Sequence, residues 1–138
     1  LRLRRLLFRL ANYVHPKNII FVGKESMALY YLKQACKQAS LLNSDDGTGL
    51  IAPTGSFFSY IRYGLPINQL EKISSLYIDH STSDSLLVIH GIRFNHEMHL
   101  FWKKLKKDPR VGITFDLYYV GLVFFDHSKI KQHYIVNF

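Results

Sequence analysis

One cysteine, Cys36, stands among 138 residues, so no disulfide can form within the chain. A chain of this kind suits a reducing compartment, and a cytoplasmic protein is the expectation. Cys36 itself is expected to be a buried, small apolar side chain on a helix. No apolar run reaches the ~18 residues that a membrane-crossing helix needs. The start, LRLRRLLFRL, lacks a clean apolar block followed by a small-residue cleavage site, so no signal peptide is expected. Position 1 is Leu and not Met, which suggests a piece of a longer chain. Acidic residues are also few: 10 against 18 Lys and Arg, a formal charge of +8. That balance favours anionic partners such as nucleic acid, a membrane surface or phosphorylated ligands.

What is present suits a single folded domain over residues 1–138, because 48% of the residues are hydrophobic and 14% aromatic. The basic excess gathers at Arg2, Arg4, Arg5 and Arg9 and again at Lys103, Lys104, Lys106, Lys107 and Arg110. Both groups fall on predicted helices, where a solvated face is the plain explanation.

The spacing of Leu3, Leu6, Leu7, Leu10 and Val14 predicts an amphipathic helix ended by Pro16. Asn18 to Val22 then reads as a buried strand stopped by Gly23. Residues 25–39 read as a helix with Met27, Tyr30, Tyr31, Gln34 and Ala35 at its period. The middle of the chain is rich in turn formers, with a short strand at Leu50-Ile51-Ala52 and a helix starting near Pro66. SSLYIDH, residues 74–80, and SLLVIHG, residues 85–91, read as two short strands. If they lie side by side, Asp79, His80 and His90 meet at their C-terminal ends, and a carboxylate beside imidazoles can move protons. These three are the candidate catalytic residues. A helix follows, capped by Asn95, stopped by Pro109 and buried through Met98, Phe101, Trp102 and Leu105. The remainder, VGITFDLYY, VGLVFFDH and QHYIVNF, reads as a closing antiparallel meander that turns near Tyr118 to Gly121, with positive φ at Gly121.

This order of elements resembles the class I S-adenosylmethionine-dependent methyltransferases, and most nearly an O-methyltransferase-like group of Bacteroidetes. The resemblance rests on LLFRLANYVHPKNIIFVG, on SLLVIHGIRFNHEMHLFWKKL and on the tail VGITFDLYYVGLVFFDHSKIKQHYIVNF. It implies an α/β, reduced Rossmann-like sheet with an antiparallel C-terminal edge. It also implies S-adenosylmethionine as the cofactor to consider, bound near Gly23, Lys24 and Glu25. Gly23 matches the first glycine of the family's loop, and Asp79 an acid after its fourth strand. Phe21 replaces the acid two places before that glycine, and Ser26 and Met27 stand where later glycines belong. GLIAPTGS offers no acid for a ribose, and His90-Gly91 replaces an aspartate pair after the fifth strand. The helix between those strands is read as deleted. Glycines let backbone approach a ligand, and an acid at a strand end orients a cationic or hydroxylated one. On these departures the loop reads as a remnant.

Seven histidines raise the question of a metal. His96 and His99 share a helix face with His90 before them, but HEMH is not the HExxH spacing of a zinc site, and none is assigned. Basic residues near Tyr30, Tyr31, Tyr60 and Tyr63 would suit single-stranded nucleic acid, without any supporting motif. The expected function is therefore a degenerate, non-catalytic methyltransferase-like domain serving interaction. An active transferase with an altered loop and a basic nucleic-acid-binding module are the alternatives. An edge strand offers a dimer contact.

Overall fold

The computed structural model describes residues 2–24 and 26–137. In chain order these form α1 (Arg2–Val14), β1 (Asn18–Val22), α2 (Ser26–Ala35), β2 (Ser40–Ser44), β3 (Phe57–Arg62) and α3 (Ile67–Asp79). Then come β4 (Leu86–His90), α4 (His96–Lys106), β5 (Thr114–Asp116), β6 (Val120–Phe124) and β7 (His133–Ile135). The strands make one seven-stranded sheet in the order β2-β1-β3-β4-β6-β5-β7. The first four run parallel, whereas β6 is antiparallel to both β4 and β5.

The inner parallel strands β1, β3 and β4 are largely apolar because helices cover both of their sides, whereas β2 at the edge, SLLNS, is mostly exposed. One core layer holds α3 and α4, with Ile20, Phe57, Tyr77, Leu87 and Trp102 among its buried side chains. The other holds α1 and α2, with Leu7, Ala11, Phe21, Ala28, Leu32 and Tyr60. In α1 the predicted stripe meets this layer, Leu7 and Ala11 fully buried and Leu3, Leu6, Leu10 and Val14 packed against it. In α2 the buried face differs from the predicted one. Ala28 and Leu32 turn inward, while Met27, Tyr30 and Gln34 are exposed. Cys36 follows α2 by one residue, half-buried, with its thiol donating to the Ala11 carbonyl at 3.4 Å.

The middle of the chain departs furthest from the sequence expectation. Leu50-Ile51-Ala52 is not a strand; the strand is Ser40–Ser44, paired with β1 from Asn18↔Ser40 to Val22↔Ser44. Residues 74–79 are not a strand either, but the second half of α3. Leu70, Ile73, Ser74, Tyr77 and Ile78 recur at helical spacing and are buried. The short apolar run LYI imitates a strand only when its upstream turn is left out. The helix read as deleted is therefore present.

α4 forms as predicted. The Asn95 side chain accepts a hydrogen bond from the Met98 N–H at 2.9 Å, Glu97 lies in the first turn, and lysines fill the last. Met98, Phe101, Trp102 and Leu105 are buried.

The C-terminal strands match the expected hairpin but not its details. β5 and β6 are antiparallel, with Asp116 opposite Gly121. β7 instead runs parallel to β5 on its far side. The loop from β6 to β7 is short, but between the paired strands β5 and β7 the chain makes a full crossover through β6, as a parallel neighbour requires. Positive φ falls on Tyr118 (73°) and not on Gly121. Gly121 is needed for another reason: a Cβ there would stand 2.5 Å from the Trp102 ring. The indole is fully buried, so Gly121→Ala is expected to cost ~1–3 kcal/mol in chemical denaturation, as overpacked cores do. A change within a few tenths would mean that the indole can shift.

Candidate functional site

Because β1 to β4 are parallel, their C-terminal ends line one edge of the sheet. After β1 the chain crosses to β2 on one side, and β3 lies on the other, so the strand order reverses between β1 and β3. Open α/β sheets bind ligands at such a point. Here it carries Gly23 and Lys24 from β1, Asp45 from β2 and Arg62 and Tyr63 from β3, around a cleft of about 150 Å³.

Gly23 holds φ at 141° and donates its N–H to the Ser44 carbonyl at 3.0 Å, which ties the turn to β2. A Cβ on Gly23 would meet Arg62 Cβ at 2.9 Å, so the arginine side chain rests directly on the glycine. The Arg62 guanidinium lies 4.5 Å from the Tyr63 ring centroid and donates to the Tyr63 hydroxyl at 2.9 Å. Tyr63 stacks on Phe94 at 4.1 Å and meets His90 edge-on at 5.4 Å. It also covers Gly91, where any Cβ would collide with its ring. His90 Nδ1 is 2.6 Å from the Tyr60 hydroxyl, and the Tyr60 ring stacks on Phe21 at 4.6 Å. Aromatic stacks of this spacing are favourable beyond their burial. From Phe21 to Phe94 the edge is thus a continuous set of packed rings.

His90 sits at this edge as expected, paired with Arg62 in register. Asp79 and His80 do not. α3 carries the chain away from the C-terminal edge, so its end lies at the opposite edge of the sheet. Asp79 there forms an ion pair with Arg110, which also binds Asp108 at 2.7 Å. The His80 ring bonds the Leu76 carbonyl at 2.9 Å. Both are helix-end partners, and the three proposed catalytic residues do not form one site. Glu25, the third expected cofactor residue, lies outside the described residues, whereas Gly23 and Lys24 both line the cleft. Among the described residues no three His, Cys, Asp or Glu side chains gather as metal ligands, so His90, His96 and His99 make no such cluster.

Asp45 was missed by reading the sequence. It follows β2 directly, where the resemblance read from the sequence implies an acid. SLLNSDD could have revealed it as a short run ending in two acids, but the neighbouring turn formers hid the strand. Phe21 was noticed, and the structure explains it: the side chain is 1% exposed in the α1–α2 core layer. An acid introduced there would be a charge buried in the core and not a repaired binding loop.

The two basic groups lie on opposite faces of the sheet, α1 on one and α4 on the other. They do not make one continuous surface. Several of the second group have local partners, Lys104 with Glu71 at 3.6 Å and Arg110 with Asp79 and Asp108.

Solved structures share this architecture. A Klebsiella pneumoniae protein whose structure carries the provisional name O-methyltransferase superposes with TM-score 0.68 at 10% identity, over 89% of this chain and 79% of that one. A methyltransferase from Geobacter sulfurreducens gives TM-score 0.63 at 13% identity, over 89% and 78%. The Podospora anserina methyltransferase PaMTH1, bound to SAH, gives 0.57 at 11%, over 88% and 77%. No family model and no curated protein matches the sequence. At these identities the likeness concerns the fold: the chain has the Rossmann-like α/β fold of S-adenosylmethionine-dependent methyltransferases.

Proposed function

We propose that this is a methyltransferase-fold domain that no longer methylates and acts through binding. The observation that carries the reading is the filling of the space over two strand-end glycines by the chain's own side chains. Arg62 rests on Gly23 and Tyr63 on Gly91, and the cleft left beside Gly23, about 150 Å³, is small beside the ~300–1,000 Å³ of ligand sites, although a cavity of about 520 Å³ opens farther along the same edge between the loops after β3 and β4. The residues as arranged do not fit S-adenosylmethionine. No acid stands at the end of β1 for its amino acid head, because Phe21 there is packed into the α1–α2 layer. Losing one charged hydrogen bond costs ~1.5–3 kcal/mol, or roughly one to two orders of magnitude in affinity. The displacement of Arg62 and Tyr63 weakens it further.

One observation favours a second reading, an S-adenosylmethionine-dependent transferase with an altered cofactor set. Asp45 and Lys24 share the cleft with Gly23, and a carboxylate after β2 can accept two ribose hydroxyls. Titration calorimetry with S-adenosylmethionine and its demethylated product separates the readings. The expected outcome is no saturable heat below about millimolar ligand, beyond the affinity range usual for enzyme ligands. A one-to-one complex tighter than about 10 μM, lost in Asp45→Asn, would sink the first reading in favour of the second.

A further inference from the structure

β7 is the outermost strand on its side of the sheet, three residues long and exposed throughout, and β5 is the strand it pairs with. Two backbone bonds mark its docked position. The Thr114 N–H donates to the Gln132 carbonyl at 3.0 Å, and the Val136 N–H donates to the Asp116 carbonyl at 2.9 Å. Tyr134 adds a ring stacked on Phe115 at 5.3 Å. Just before the strand, the Lys131 ammonium donates to the Asp108 carbonyl at 2.6 Å and to the Val111 carbonyl at 3.0 Å, so the chain entering β7 is pinned separately. A short edge strand with so few bonds belongs to the low-stability end of a fold and opens without the core.

The polar anchor of β7 is His133. Its Nδ1 lies 2.7 Å from the Oγ1 of buried Thr114, and its Nε2 faces the Lys106 ammonium at 3.5 Å. The ring meets Trp102 edge-on at 6.2 Å, and Lys106 lies over the same indole at 5.9 Å, so packing on α4 holds imidazole and ammonium side by side. An ammonium can only donate, so Nε2 carries no proton, and the ring's one N–H sits on Nδ1 and donates to Thr114. A second proton would place an N–H on Nε2, and two donors of like charge would then face each other. Of the other charges around the ring, Arg93 also repels, while Asp116 attracts but is engaged by Arg93 through two hydrogen bonds of 2.7 Å. Desolvation of the ring and then Lys106 hold the imidazole below its ordinary 6.5, with Asp116 opposing them and Arg93 adding to the fall. Lys106 is itself lowered from 10.5, chiefly by desolvation, and stays a cation where histidine titrates. The docked ring takes its proton less readily than a free one. Docking is therefore strongest above the ordinary histidine range and weakens as the pH falls through it.

We infer that β7 is a pH-sensitive latch: His133 holds it on the sheet near neutrality, and acid releases it to pivot beyond Lys131 and bare the backbone edge of β5. The inference rests on neither reading of the strand-end cleft. The test is amide hydrogen exchange of the intact chain, followed by NMR at Thr114 and Val136, whose N–H bonds exist only while β7 is docked. From about pH 8 to about pH 5 their protection, corrected for the intrinsic exchange rate, is expected to fall roughly three- to fivefold, the worth of one partly exposed charge pair. The amides of β4 should keep theirs. Lys106→Met retains the apolar stem over Trp102 and removes the charge, and the fall should vanish in that variant. His133→Gln should likewise give a flat profile, because its side chain does not titrate. Protection that stays constant over this range in the parent chain overturns the inference. So does a fall of equal size in Lys106→Met, which would assign the effect to another group. A fall shared by the β4 amides also overturns it, since the whole domain and not the latch would then be opening.

Discussion

Replacing Trp102 with alanine is expected to lower folding stability by about 3–5 kcal/mol, the range for removing a large aromatic side chain from a packed core. The indole is fully buried in the α3–α4 layer, where Met98 and Leu105 share its helix face. The cavity cannot collapse easily, because its floor is the rigid sheet at Gly121. Relaxation would have to come from α4, which Asn95 caps at one end. Urea denaturation of the two proteins side by side measures the difference. A loss below about one kcal/mol would place the ring in solvent and refute the packing described for α4.

Truncating Arg93 to alanine should come next in size, at about 3 kcal/mol at neutral pH. Arg93 grips Asp116 with two hydrogen bonds, both 2.7 Å, and donates a third to the Tyr118 carbonyl at 2.8 Å. Asp116 is 2% exposed, so the variant would leave a carboxylate buried without its cation. The side chain of Arg93 keeps 27% exposure, which lets water replace it in part and places the loss at the lower end for broken buried pairs. Burial by itself pushes the Asp116 carboxyl up. The Arg93 hydrogen bonds, the Tyr118 N–H and the Arg93 charge outweigh it and bring the carboxyl down to about 2. The Trp102 indole N–H adds the weakest attraction, since it makes no hydrogen bond of ordinary geometry.

The sign of the pH dependence follows. A carboxyl lowered from 3.8 to about 2 on folding stabilises the native state above pH 4, and the contribution fades as the pH falls toward 2. Without Arg93, burial is less opposed and the folded carboxyl takes up its proton earlier. The stability gap between the parent and Arg93→Ala should therefore be widest near neutrality and narrow on acidification below about pH 4. A gap that stays constant from pH 7 to 3 would show that Arg93 acts by packing and not by charge.

Long, strongly patterned elements could be read from the sequence. The leucines of α1, the unbroken run of β1 and the Asn95-to-Pro109 punctuation of α4 all state their structure locally. β2 could not be read so easily, because three of its residues are polar or small and its pairing with β1 is a distant contact. The end of α3 misled because three apolar residues in a row fit either period, and only the upstream Leu70 and Ile73 decide between them. That single error put Asp79 and His80 at the wrong edge of the sheet and so assembled a catalytic group that the topology takes apart. His90 was legible because its strand was. The arginine and tyrosine that close the cleft gave no sequence signal, since their roles depend on lying opposite glycines in other turns. Gly121 drew attention for its backbone freedom, but what it supplies is space.

That space ties two positions 19 places apart in the chain into one inherited unit. A lineage that keeps tryptophan at 102 has no neutral route away from glycine at 121, and a shrinking of the indole must come before any side chain appears opposite it. Among related sequences the two positions should then change in a fixed order, the ring first and the glycine after.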